Sequence, residues 1–409
     1  MTEVAKYPFE MSPESEVLSG YHQTLLYKFR HVRSTQHLIA HPAYKTHWET
    51  IDKSLRTYEQ FEPKKTFHPC PHDYVRIVAW NIERGMAYGG IIESLKTHFE
   101  LKQGDIFLLT EVDHGMARSG NRHIAKDLAG ELNCYGVFSP TFLNLDKGNG
   151  GEKKMTGSNT VALQGHTILS RFPISNIEIV YLPNSKDHLA GKERQIGQES
   201  VIQATIHTPL GPIQCANVHI SAHSSREHRA LQMSTLLETF STRPGPALIG
   251  GDWNTTTFNL NGFKYASWDF LERAVKAYCR KVFKSPSPSR VSPFAQPDLF
   301  FERKLFSLLK SRGFQVNEFN VECGYTLQYN FSDPFVRMSL SDWVPRWCFK
   351  YIDKALKTND GNFSLKVDWF AGRKLLAKNN LIVSDLPRRE TRYSDHHPII
   401  TDIELIHDD

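Results

Sequence analysis

Nine polar residues between positions 81 and 396 sit where runs of apolar residues stop. Asn81 and Glu83 close one such run in AWNIERG, and Glu111 closes another in LLTEVD. His219 ends ANVHIS, while Asp252 and Asn254 follow the apolar stretch of LIGGDWNT. Asp368 opens DWF, and Asp395 and His396 in SDHHPI precede the last apolar run. Two carboxylates near one side-chain amide suit Mg²⁺, a hard ion that takes oxygen ligands and keeps several waters. Aspartate turns with Asn or His nearby supply a base for water and a donor to a phosphate oxygen. Taken singly, each residue has a plain structural explanation, because Asp and Asn cap helices and make turns. Six segments of this kind in one chain point instead to a site.

To bring such residues together, strands must end at a common edge. From Tyr74 onward short apolar runs alternate with helical stretches, predicting strands over 75–80, 106–110, 167–169, 201–206, 213–220, 247–250 and 399–403. Several are apolar at nearly every position, as in a sheet covered on both faces. Helices are predicted over 91–99, 123–132, 226–240 and 300–312, the last with Gly313 as its C-terminal cap. The Gly/Lys-rich stretch 146–157 and the Pro/Ser-rich stretch 285–297 read as mobile loops. Before residue 74 the pattern differs. Ser12, Pro13 and Glu14 form a helix-start signal, and a second helix is predicted over 44–58. Residues 1–73 therefore read as a helical extension that packs on the main unit, 74–409, or on a protein partner. Seven of the 19 histidines fall there, but their spacing never repeats as a ligand set.

The chain has 409 residues, 40% hydrophobic, 11% aromatic and 23% charged, which excludes a disordered chain, a coiled coil and a collagen-like repeat. Six scattered cysteines with no C-x-x-C pair argue against a disulfide scaffold or zinc ribbon and for a reducing compartment. No apolar run approaches the roughly 18 residues of a membrane span, and the first residues lack a basic-then-apolar leader. A soluble, cytoplasmic protein is the expectation. Net charge is +5, but residues 255–365 alone carry 16 Lys and Arg against 10 Asp and Glu, a balance of +6. Within them Arg273, Lys276, Arg280, Lys281, Lys284 and Arg290 run without an acidic residue. Such a run either attracts anionic substrates or forms a solvated surface.

The motifs W-N-I-E, L-L-T-E-V, I-L-S-R-F-P-I, N-V-H, G-G-D-W-N-T, V-D-W-F and S-D-H-H-P-I, in that order, resemble the endonuclease/exonuclease/phosphatase superfamily over residues 75–403. Its members include exonuclease III, pancreatic deoxyribonuclease and neutral sphingomyelinases. The resemblance implies a four-layer α/β sandwich, two mixed β-sheets face to face with helices outside, and a site at one edge. By motif, Glu111 and Asn81 would hold Mg²⁺, or Mn²⁺ in its place, with Glu83 and Asp395 in or near its shell. Asp252 would orient and deprotonate the attacking water, and Asn254 would hydrogen-bond the phosphate. His396, oriented by Asp368, would stabilise the phosphoryl group or protonate the leaving oxygen. His219 matches a histidine present in some branches only, as a second acid. Arg171 reads as structural.

The resemblance implies metal-dependent hydrolysis of phosphoric esters, and nucleic acid is the expected substrate. The loop-rich insertion 255–365, with its basic run and Trp343 and Trp347, is where substrate selection is expected. The same residues suit an anionic lipid headgroup or an inositol phosphate, which leaves phospholipase C-like or phosphatase activity as an alternative. Part of the insertion, from Gln296 to Phe314, resembles a bacterial subgroup of the family. A third reading, a non-catalytic binding protein, is disfavoured because every expected catalytic position is filled.

Overall fold

Strands that are apolar on both faces must be covered from both sides, and here two sheets cover each other. The computed structural model describes residues 24–65, 73–222, 224–255, 257, 293–330, 337, 349–350, 353, 362–386 and 393–406. Its first eight strands are β1 (Glu59–Phe61), β2 (Val75–Arg84), β3 (Ile106–His114), β4 (Tyr135–Asn144), β5 (Leu163–Ser170), β6 (Ile174–Tyr181), β7 (Gln195–Gly197) and β8 (Ser200–Thr208). The others are β9 (Gly211–His219), β10 (Ala247–Asp252), β11 (Leu327–Asn330), β12 (Asn362–Leu365), β13 (Asp368–Arg373), β14 (Leu375–Ile382) and β15 (Ile399–Leu405). One sheet of eight strands runs β1-β4-β5-β3-β2-β15-β14, with β7 added against β4. A second sheet of five runs β13-β10-β9-β8-β6, and β11 and β12 pair separately. Both larger sheets are mixed, with β2 parallel to β3 and β10 parallel to β9.

Between these sheets lie Ile77, Leu108 and Ile168 from the larger and Ile202, Cys215 and Leu248 from the smaller. The helices are α1 (Thr35–Ala40), α2 (Pro42–Arg56), α3 (Tyr88–Thr97), α4 (Ile124–Leu132), α5 (Arg226–Thr239), α6 (Pro297–Phe300) and α7 (Arg303–Ser311). Ile91 and Leu95 of α3 and Ile124 and Leu128 of α4 cover the outer face of the large sheet against Trp80 and Phe107. Met233 and Leu237 of α5 and Leu305 and Leu309 of α7 cover the small sheet against Val218 and Ile249. The order is helix, sheet, sheet, helix, the expected four-layer sandwich.

Each predicted strand and helix within the described residues has a counterpart, with informative differences. The segment before 74 contributes more than helices. Its β1 pairs antiparallel with β4, and Leu38, Ile51 and Leu55 share a core with Leu143 and Leu163. The helix signal at Ser12 and the basic run from Arg273 to Arg290 lie outside the described residues, as do Trp343 and Trp347. The helix predicted over 300–312 is broken at Phe301–Glu302, because buried Glu302 turns inward to accept from Arg229 Nε (3.0 Å). Gly313, at φ +77°, follows that helix as predicted. Strands β1, β4, β6, β7, β11, β12, β13 and β14 went unpredicted. In β14, Leu375–Ile382, most side chains are half-buried or exposed, as befits a sheet edge without an apolar signature. The stretch 146–157 is tied down, with a capping box between Asn149 and Glu152 and the Glu152 carboxylate buried. No helix among the described residues is long and apolar enough to cross a membrane.

Candidate active site

Strand register brings the predicted residues to one end of the sandwich. Asp252, last in β10, lies opposite His219 on β9 and opposite Asp368 on β13, so three polar side chains stand abreast. Asp252 is delivered by Gly251, at φ +130°, where a Cβ would lie 2.2 Å from the Val218 carbonyl oxygen. No side chain fits there. On the larger sheet β2 and β3 end side by side, and both lose register there, β2 between Asn81 and Arg84 and β3 between Leu109 and Val112. Three residues at these irregularities take left-handed backbone, Glu83 at φ 45°, Arg84 at 65° and Glu111 at 52°. Such irregularities re-aim side chains at a strand end, at some cost in strain.

The side chains then interlock. Asn81 Nδ2 donates to Asp252 Oδ2 (3.1 Å), and Asn81 Oδ1 accepts from the Glu83 backbone N–H (3.0 Å). Asn254, at φ 47°, donates its backbone N–H to Asp252 Oδ1 (2.8 Å) and its amide to Asp252 Oδ2 (3.1 Å) and the Ile220 carbonyl (3.0 Å). His396 Nδ1 meets Asp368 Oδ2 at 2.8 Å, which turns Nε2 toward Asp252 Oδ2 at 3.8 Å. His219 Nε2 lies 3.6 Å from Asp252 Oδ2 and 3.7 Å from Glu111 Oε1. Glu83 joins through its backbone and Asp395 through its charge, which acts on His396. Arg171 is at the far end of β5, donating to the Lys102 carbonyl (2.8 Å), so its role is structural.

Burial and neighbouring charge set the protonation states. Burial pushes the Asp252 carboxyl up to about 6, with His396 pulling it down and Asp368 pushing it further up. Burial opposes charge on His396, but Asp368 and Asp252 outweigh it and hold the imidazole well above its usual value. The site thus pairs a carboxylate base with an imidazolium acid at neutral pH. Burial also opposes ionisation of Glu111, yet Arg84, His219 and His396 together hold its carboxyl at about 2.

Several members of the cluster went unread in the sequence. Arg84 Nε lies 3.7 Å from Glu111 Oε2, while its Nη1 donates to buried Glu152 Oε1 (2.8 Å). Arg84 directly follows W-N-I-E, so that motif could have flagged it. Ser394 Oγ donates to the Asn81 carbonyl (2.6 Å) and accepts from the His396 N–H (3.0 Å), tying two motifs together. Thr326 Oγ1 accepts from the Asp368 N–H (3.0 Å). Glu199 Oε2 faces His219 Nδ1 at 3.9 Å, and burial pushes its carboxyl up to about 7, Lys186 opposing and Glu111 reinforcing. Neither Thr326 nor Glu199 lies in any motif.

The profile of the Endonuclease/Exonuclease/phosphatase family matches residues 78–396, a span that contains all nine predicted site residues. The chain belongs to that family. Its reaction class is therefore hydrolysis of phosphoester bonds. Similar solved structures include an endonuclease/exonuclease/phosphatase from Beutenbergia cavernae DSM 12333, 16% identical, covering 81% of this chain and 72% of that one at a TM-score of 0.47. A 3'-5' exonuclease (NExo) from Neisseria meningitidis is 14% identical over 81% of this chain and 100% of that one, TM-score 0.45. An AP endonuclease from Archaeoglobus fulgidus is 13% identical over 80% and 98%, TM-score 0.44. None of the curated proteins compared matches this chain.

Members of this family generally depend on a divalent metal, and the donor chemistry here fits one. Glu111 is ionised and Asn81 offers a side-chain carbonyl with a second lone pair, an oxygen-only set suited to a hard ion.

Proposed function

We propose that this chain is an Mg²⁺-dependent phosphodiesterase whose substrate is nucleic acid, with Mn²⁺ able to replace Mg²⁺. The observation that carries the reading is the His396–Asp368 pair at 2.8 Å with Nε2 turned to Asp252 Oδ2 at 3.8 Å, an acid and a base side by side. Glu111 and Asn81 would hold the ion, with Glu83 and Asp395 beside them. When bound, it supplies positive charge against the negative charge of a phosphoryl oxygen. Asp252 takes a proton from water, and its carboxylate is fixed for that purpose by Asn81 and Asn254. His396 gives a proton to the leaving oxygen while Asp368 keeps the ring oriented through Nδ1. The amide of Asn254 and Nε2 of His219 would bind phosphate oxygens.

Nucleic acid is favoured by the charge of the segment after Asn254, +6 over residues 255–365, which suits a substrate with repeating phosphates. Residues 74–409 would form the catalytic unit, with 1–73 an extension fastened through β1. The free cysteines Cys134, Cys215 and Cys323 suit a cytoplasmic location. The test is turnover of a panel containing DNA, RNA, sphingomyelin and inositol phosphates, with Mg²⁺ and with EDTA. Mg²⁺-dependent cleavage of DNA or RNA, well above that of the lipid and inositol substrates, is expected. Preference for either of the latter would overturn the substrate, and full activity in EDTA would overturn the metal.

A further inference from the structure

Behind the candidate catalytic cluster, three side chains converge. His166 from β5, Glu199 immediately before β8 and His219 at the end of β9 each place one ligand atom within 4.8 Å of the others. His166 is 3% exposed and Glu199 5%, and His166 Nδ1, His166 Nε2 and Glu199 Oε2 have no hydrogen-bond partner. Buried polar atoms are nearly always satisfied, so three such atoms facing one another point to a ligand.

The positions are built rather than incidental. Glu199 is locked on both sides of its backbone, its N–H donating to Asn184 Oδ1 (3.1 Å) and its carbonyl accepting from Leu182 N–H (2.8 Å). His166 faces the stretch of β3 where register is lost, between Leu109 and Val112. The His166 and His219 rings are 5.4 Å apart at 53°, so they are not stacked and their nitrogens can turn to a common point. The separation of 3.9 Å between His219 Nδ1 and Glu199 Oε2 is too long for a hydrogen bond. Two bonds of about 2.0–2.2 Å at a tetrahedral angle set their donors about 3.4 Å apart, so a shift of about half an ångström would bring both onto one ion.

We propose that His166, Glu199 and His219 form a second metal site, for a zinc-class transition ion. Two imidazoles and one carboxylate are borderline donors that suit Zn²⁺ or Co²⁺, unlike the oxygen set of Glu111 and Asn81. Three protein ligands with a fourth position open is an ordinary zinc arrangement. The site spans both sheets, since β5 belongs to the larger and β8 and β9 to the smaller. Coordination through His219 Nδ1 would leave its proton on Nε2, the atom that faces Glu111 and Asp252. The ion would thereby hold His219 as a fixed hydrogen-bond donor toward substrate, a consequence that rests on the function proposed above, whereas the site itself does not.

A cobalt titration of chelator-stripped protein tests this. Tetrahedral Co²⁺ with nitrogen ligands absorbs strongly in the visible, whereas Co²⁺ among oxygens and waters absorbs weakly. Wild type should bind one strongly absorbing Co²⁺ that excess Mg²⁺ does not displace, and show shifted ring N–H proton resonances from two histidines. His166→Asn and Glu199→Gln should each weaken that binding at least tenfold. Glu111→Gln should keep it while losing Mg²⁺ binding, which separates this site from the one proposed for catalysis. No strong band in wild type would overturn the proposal, leaving buried water as the occupant. A band lost in Glu111→Gln yet kept in both other variants would overturn it too, because the ion would then sit with Glu111. The histidine resonances are read in wild type, so a variant that misfolds does not remove the test.

Discussion

Asp368→Asn isolates one charge in a site where geometry is otherwise kept. The carboxylate contacts His396 Nδ1 at 2.8 Å, and both residues are buried. Taking the two charges as about 4 Å apart at an effective dielectric of about 20, their attraction is about 4 kcal/mol. Asn still accepts through its carbonyl, and Asp252 remains 3.8 Å from Nε2, so only part of that is lost. An opposite charge of this kind typically moves a titration by about 1–3 pH units. Because His396 must carry its proton to act as the acid, the alkaline limb of kcat/KM should move down by that amount. Loss of the acid at neutral pH should lower the rate by up to the roughly 10²–10⁴-fold that general acid catalysis supplies. Stability follows the same sign. The folded state holds His396 above its ordinary value, so the pair stabilises fully below the unfolded value near 6.5 and loses this contribution as pH rises through the folded one. The stability gap between wild type and variant should therefore be widest at mildly acidic pH and narrow on the alkaline side. Imidazole proton NMR follows His396 directly without a substrate. An unmoved His396 titration in the variant would refute the pairing.

Glu111→Gln should weaken Mg²⁺ binding by more than the roughly 10–100-fold typical of losing an outer-shell partner, with the circular dichroism unchanged; wild-type affinity by calorimetry would contradict the ligand assignment. Arg118 is fully buried and contacts Asp113 (2.8 and 2.9 Å), Glu193 (2.7 Å) and Glu152 (3.1 Å). Arg118→Ala strands those carboxylates and should cost about 3–5 kcal/mol in urea unfolding. Their folded pKa values would then rise, so the loss should shrink as pH falls, and a loss independent of pH would count against the network. Replacing Arg273, Lys276 and Lys281 with Gln should flatten the salt dependence of DNA binding by about two to three log units per log salt; identical slopes would leave the basic run a solvated surface. Finally, Glu111→Gly should be more stable than Glu111→Ala by about 1 kcal/mol, because φ is 52° there. The opposite order, usual in regular strands, would mean that position 111 is not left-handed.

How far the fold could be read depended on where each strand sits. β2 and β10 are buried at nearly every position, so a continuous apolar run announced them. β14 lies at a sheet edge, and β6 is mostly half-buried at the other sheet's edge, so neither has such a run. β4 carries Ser139, Pro140, Thr141 and Asn144 among its buried positions, which breaks the apolar pattern although the strand is central. Pairing with β1, β5 and β7 holds it in place, and such long-range contacts leave no trace in local composition.

The site divides along the same line. Residues embedded in short motifs, such as Asp252 with Asn254, were legible because chemistry demands them close in sequence. Glu199 and Thr326 act from elsewhere in the chain, and only folding brings them to His219 and Asp368. The backbone strain was hidden for a further reason. Glu83, Arg84 and Glu111 are all L-residues held at positive φ, where glycine or asparagine would ordinarily be found. Each costs about 1–2 kcal/mol, and no propensity argument would place them there. Their side chains explain why glycine is not used. Arg84 bridges Glu111 and buried Glu152, and Glu111 meets His219. A smaller residue would relax the strand ends and empty the cluster of the charges that hold Glu111 ionised. Strain here is the cost of turning side chains out of two adjacent parallel strands toward one point, and it falls on charged residues whose side chains meet there.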